Sequence, residues 1–194
     1  MTLTTTPRHG EPAPHDAEET LARWRADEAA VRARMAEIGV ARPDQVIGLS
    51  GMQFFEAMFE GRLPRPPIGT TLGFLPVHME PGLAVFQGTP AFEFYNPLGS
   101  VHGGWFATLL DSCVGCAVHT TLPAGKAYTT LELKLNIVRA LSVKVPLVRA
   151  EGRVVHAGNQ VATAEGRLIG PDGKLYAHAT TTCLVFDARP APSK

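Results

Sequence analysis

The chain has 194 residues and a mass of 20.8 kDa, a length that fits one domain with an appendage and excludes two large ones. Hydrophobic residues make up 45%, and a chain this long buries roughly 70% of the surface its unfolded form exposes, so a core is attainable without disulfides or metal staples. Eighteen Lys and Arg balance eighteen Asp and Glu, which argues against a nucleic-acid partner held by bulk positive charge but leaves room for a small phosphorylated ligand.

The front of the chain differs from the rest. Residues 1–45 carry 14 of the 36 charged side chains, although they are under a quarter of the length. Residues 1–15, rich in Thr, Pro and Gly, are expected to form a disordered tail. No apolar signal-peptide core is present in that segment, and nowhere do eighteen apolar residues run together, so a soluble, cytoplasmic protein without a membrane partner is expected. Asp16 with Glu19 resembles a capping box, and Leu21, Trp24, Val31, Met35 and Ile38 recur at helical spacing up to Gly39. Glu28 interrupts that stripe. A second helix is expected from Ser50 to Glu60, as an ordinary packed helix or a lid, closed by Gly61 and the proline-rich linker at Pro64 to Pro67. Residues 16–67 thus form an N-terminal helical extension.

From residue 68 to residue 187 the pattern belongs to one α+β domain, followed by a short tail at residues 188–194. Leu72 to Val77 and Leu83 to Gly88 form a hairpin through Glu80-Pro81-Gly82. Gly103 to Val118 has ten apolar residues and three glycines in sixteen, and a helix apolar on every face must be wrapped on every side. Leu131, Leu133, Leu135 and Ile137 then alternate with polar residues, a strand with one buried face. Three more strands, Val145 to His156, Gln160 to Ile169 and Lys174 to Phe186, are joined by the turns Ala157-Gly158-Asn159 and Pro171-Asp172-Gly173. The expected architecture is an antiparallel meander curled around one long helix.

Asp111 is the anomaly in that helix. Desolvating a carboxylate costs several kcal/mol unless it is paired or borders a wet cavity, and a low dielectric would suit it to act as a general base. Equally, it would accept hydrogen bonds that fix register. His102-Gly103-Gly104 opens the helix, where unpartnered backbone amides can hold an oxyanion and missing side chains allow close approach; a plain glycine-rich turn is the alternative. The Asn96 amide is placed to cap that turn or position a water. Gly103 and Asp111 are eight residues apart, about 12 Å along a straight helix, so one carbonyl cannot touch both. If both act, they come from different chains, which predicts a site shared across a symmetric dimer. Cys113, Cys116 and His119 have ligand-like spacing, but positions six apart diverge by about 120°, favouring buried packing over a metal site. No phosphate-binding loop, serine-hydrolase elbow or zincin motif occurs.

The segment NPLGSVHGGWFATLLD resembles the hotdog-fold thioesterases of the phenylacetate-pathway and 4-hydroxybenzoyl-CoA type, as do the strand TTLELKLNIVRA and the stretch VVHAGNQVATAEGRLIGPDGK. The resemblance implies a hotdog fold and hydrolysis of an acyl-CoA thioester, without a cofactor beyond the coenzyme A of the substrate, in a dimer or dimer of dimers. It implies Asp111 as base or nucleophile and Gly103 as amide donor to the thioester oxygen from the partner subunit. His102 would brace the turn and Asn96 orient the water, with Gly104 beside them and Thr130, or the adjacent Thr129, bordering the water. Coenzyme A phosphates call for cations at the mouth. Arg139 and the backbone near Gly158 are preferred over Lys144, Arg149, Arg153, Arg167 and Lys174, although Ala140 stands where relatives carry Pro after the Arg. Phe92, Phe94 and Trp105 are nominal pocket walls. A non-catalytic acyl-CoA binder or sensor is the alternative.

Overall fold

The computed structural model describes residues 16–188, so the tail expected at residues 1–15, and that expected at residues 188–194 apart from its first residue, lie outside the described residues. Helix α1, Ala17–Arg32, starts where its cap is readable: the Asp16 carboxylate accepts from the Glu18 and Glu19 amides. It stops earlier than the apolar spacing suggests. Beyond Arg32 the chain turns, and Ile38 bridges Arg65 while the Gly39 amide donates to the Arg65 carbonyl, so strand-like pairing replaces a further helical turn. Two short helices, α2 (Pro43–Val46) and α4 (Pro67–Thr71), flank α3, Gly51–Phe59.

Helix α3 carries a full capping box, with Ser50 and Gln53 exchanging side-chain-to-backbone bonds. It is a packed helix and not a lid. The Gly51 amide donates to Leu122, a Cβ on Gly51 would collide with the His119 carbonyl at 1.6 Å, and the buried Phe55 ring meets the His119 ring edge-on.

Strands β1 (Phe74–Glu80) and β2 (Leu83–Gly88) form the expected hairpin, turning on Gly82 at φ 79°. A single 3-10 turn at Phe92–Phe94 leads to α5, Gly103–Thr120. Strands β3 (Lys126–Ile137), β4 (Val148–Ala157), β5 (Val161–Ile169) and β6 (Leu175–Asp187) complete one antiparallel sheet. Its order, β1-β2-β4-β5-β6-β3, corrects the meander. Of the four strands after α5, only β4, β5 and β6 follow one another; β3 pairs with β6 at the far edge and the link after it carries the chain back beside β2. Helix α5 covers the concave face. There, Gly152 of β4 and Gly166 of β5 face each other, and a Cβ on Gly152 would lie 2.4 Å from the Cys113 carbonyl. The missing side chains let the helix backbone sink onto the sheet.

Helix α1 covers the opposite face of β1, β2 and β4. Its Trp24 and Val31 are buried, Val31 against Leu75, Val77 and Val85. Gln87 is fully buried there and donates to the Trp24 carbonyl at 3.2 Å and the Glu28 carboxylate at 2.6 Å. Glu28, the break in the apolar stripe, therefore has a buried partner. Arg149 donates to Gln87 and to Asp27, at 2.9 and 2.7 Å, with its guanidinium 4.8 Å over the Trp24 ring. Among the described residues no helix is long and apolar enough to cross a membrane.

Candidate active site

The start of α5 is built by His102. Its backbone is extended, its amide donates to Phe94 at 2.7 Å, and its Nδ1 accepts from the Gly104 amide at 2.8 Å. A histidine therefore fills the capping role usually given to Ser or Asp. The Gly104 amide is thereby used. The Gly103 amide, at the positive end of the helix dipole, has no hydrogen-bond partner among the described residues.

The Asn96 side chain is engaged within its own loop. Its Oδ1 accepts from the Leu98 and Ser100 amides at 2.9 and 3.3 Å, and its Nδ2 donates to Ser100 Oγ at 3.1 Å. The side chain thus knits its own loop, and one amide hydrogen is left over. Asn96, Ser100, Gly103, Ile137 and Arg139 line one cleft of about 340 Å³. Arg139 is exposed at its rim, with Nε donating to the Leu175 carbonyl at 3.4 Å and the backbone amide to Tyr176 at 3.2 Å, which fixes the loop without a proline at Ala140.

Asp111 lies elsewhere, about 12 Å along the helix from Gly103. The wrapping of α5 is incomplete: Gly104, Ala107, Thr108, Asp111 and Ser112 form a stripe that is half-buried or exposed. This corrects the fully enclosed helix and explains how an unpaired carboxylate is tolerated, since it keeps access to solvent. Asp111 Oδ1 accepts from Thr130 Oγ1 at 3.0 Å. A β-bulge turns Thr130, and not Thr129, towards Asp111. Register shifts between Thr130 and Glu132, so Leu131 is squeezed out to 60% exposure while Tyr128 and Thr130 on one side of it, and Leu133 and Leu135 on the other, all face α5. Strict alternation would have turned Thr130 outward. Thr129 is exposed, on the outer face beside Leu184.

Gly158 is a turn residue, donating to the Val161 carbonyl at 3.0 Å, and a Cβ there would lie 2.7 Å from that oxygen. It sits by the Lys126 end of β3 and Arg139 just past the Ile137 end, so within one chain they are separated by roughly the 36 Å length of that strand. Among the other cations, Arg149 is committed to α1 and Lys174 to Asp172, while Lys144, Arg153 and Arg167 are exposed. Phe94 stacks on the buried Trp105, whose indole donates to the Leu72 carbonyl, and Phe92 is exposed.

Cys113 is buried on α5, and Cys116 and His119 are half-buried. Cys113 donates to the Leu110 carbonyl. Burial, opposed by a hydrogen bond from Tyr128 and aided by the Asp111 carboxylate, pushes the Cys116 thiol up to about 12, and burial drives His119 down to about 4. Ser100 lines the cleft at Gly103 and Tyr128 lies against Gly115 of α5, and the pattern alone singles out neither.

Comparison with known proteins bears on the fold and the family. Residues 98–177 match the thioesterase superfamily model. A phenylacetic acid degradation-related protein of Ralstonia eutropha JMP134 is 32% identical over 68% of this chain and 98% of its own, with a TM-score of 0.62. A variant of the phenylacetic acid degradation protein PaaI of Thermus thermophilus is 28% identical over 61% of this chain and 97% of its own, at a TM-score of 0.55. An esterase-named protein of Halobacterium salinarum is 36% identical over 86 residues, which span 44% of this chain and 56% of that relative's length. The helix-wrapping sheet, the family model and a relative matched along nearly its whole length lead to one assignment: the chain belongs to the thioesterase superfamily, with the hotdog fold.

Proposed function

We propose that the protein hydrolyses acyl-CoA thioesters in a site completed by a second copy of the chain. The observation that carries this reading is the Asp111 carboxylate, held at one oxygen by Thr130 and otherwise free on the open stripe of α5. The Gly103 amide is too far along the same helix to share a substrate atom with it. Strand β3 is a sheet edge twelve residues long, bordered by exposed Leu131, Ile137 and Val138, which suits it to pair with its own copy. In that pairing the partner subunit's Gly103 would donate to the thioester oxygen as negative charge develops there.

In the reaction, oxygen adds to the thioester carbon and the carbon–sulfur bond breaks. As base, Asp111 takes the proton of the attacking water and returns it to the departing thiolate, giving acid and coenzyme A. As nucleophile, it forms a mixed anhydride that water then opens. Single turnover in isotope-labelled water separates the two, because only the anhydride route leaves label in Asp111. His102 fixes the turn by accepting from Gly104, Asn96 holds the loop and offers its remaining N–H to the water, and Thr130 orients the carboxylate. Arg139 of one chain and the Gly158 backbone of the other serve the coenzyme A phosphates. The test is coenzyme A release from short, long and aryl thioesters. Asp111→Asn is expected to lose at least roughly a hundredfold in kcat while keeping its fold; full turnover in that variant means a different mechanism, and substrate binding without turnover in the wild type means a sensor.

A further inference from the structure

A second cleft, about 280 Å³, opens at the other end of the seam between α5 and β3. Val46, Ile47, Leu49, Phe54, His119 and Tyr128 form its apolar walls, and Lys126, ion-paired with Asp187, also lines it. His119 adds no charge there near neutral pH, since its ring is packed among Phe54, Phe55 and Tyr128.

The seam links this cleft to Asp111. Strand β3 runs antiparallel along one ridge of the helix: Ile137 lies by Gly103, Thr130 by Asp111, and Tyr128 by Gly115 and His119. With side chains alternating, Tyr128 is the next inward residue after Thr130 and the only β3 side chain between the carboxylate and the cleft. Gly115 leaves room for it, as a Cβ there would lie 3.2 Å from the Tyr128 hydroxyl. Asp111 and His119 are eight residues apart, about 12 Å along the helix.

We infer that the cleft receives the distal part of the acyl chain whose thioester lies at Asp111, with Tyr128 as the partition it passes. The inference rests on the hydrolytic reading and narrows it to medium and long unbranched acyl groups. Short groups end before Tyr128 and gain nothing from the cleft, whereas each methylene moved from water into it raises kcat/KM by about fourfold.

The experiment measures coenzyme A release from acetyl-, butyryl-, octanoyl-, dodecanoyl- and phenylacetyl-CoA. Wild type is expected to favour octanoyl over acetyl by about tenfold or more. Ile47→Trp, at a half-exposed cleft position, fills the space and lowers the dodecanoyl-to-acetyl ratio by about tenfold through KM. Tyr128→Ala, or Tyr128→Leu if the alanine variant does not fold, removes the partition and raises the same ratio. A wild-type profile that peaks at phenylacetyl-CoA or at acetyl-CoA overturns the inference while leaving hydrolysis intact, as does a ratio that neither variant moves. Release from none of the thioesters removes the hydrolytic reading and this inference with it.

Discussion

Asp111 stands out in the sequence because a carboxylate in an apolar run needs a reason. Its partner does not, because Thr130 reaches the helix only through the bulge at Leu131, and a bulge leaves no mark on an alternating pattern. His102 shows the same divide. Its place before two glycines marks a helix start, yet its role as the capping acceptor follows from a side-chain rotamer and the tautomer it implies. Burial also gives His119 a measurable consequence. Its folded value near 4 lies below the ordinary 6.5, so the unfolded chain holds the extra proton between them. The neutral ring's contribution is therefore complete above about pH 6.5 and is lost as pH falls towards about 4, by up to about 3 kcal/mol. Urea unfolding at about pH 7 and about pH 4.5 should show the loss, and His119→Phe should flatten it. Equal slopes in both proteins would assign the acid sensitivity to other groups.

Among the elements, those with a strong local signal are where their patterns put them: α3 with its capping box, the β1–β2 hairpin with its glycine turn, and α5 behind His102. Helix α1 ends early because residues 38 and 39 find backbone partners at Arg65, a tertiary event that outweighs a modest helical preference. Least visible was the contact of Gly152 and Gly166 with α5. Two lone glycines in strands suggest a bulge or a close approach, and only the helix position says which. A methyl group on Gly152 has backbone on its far side and nowhere to move. Gly152→Ala is expected to cost about 3 kcal/mol and lower Tm by roughly 6–12 °C, read by calorimetry. An unchanged Tm would mean that α5 can lift off the sheet freely.

For the whole molecule, the decisive question is whether Asp111 and Gly103 work in one chain or between two. Gly103→Pro tests this without dismantling the helix, because proline is well accepted at the first helical position and His102 already has the extended backbone that proline requires before it. The substitution deletes the amide donor and adds a ring whose Cβ lies 3.2 Å from Ile137 Cδ1, the end of a flexible side chain. Gly103→Pro and Asp111→Asn are each expected to be inactive, and refolding them together should restore activity to about one quarter of wild type, since half of the dimers are mixed and each has one intact site. No recovery in demonstrably mixed dimers would place both groups in a single chain.

Sequence alone determined the helix over residues 103–118, which the structure extends to Thr120, the antiparallel strands after it, the solitary carboxylate and the glycine-opened helix start, because each is written in local composition and spacing. Tertiary structure decided that β3 leaves the meander for the far edge, that its bulge turns Thr130 towards Asp111, and that α1 closes the back of the sheet through Gln87 and Arg149. These depend on which distant groups meet, and the free energy of such meetings comes from burial and hydrogen bonds between segments that carry no shared pattern.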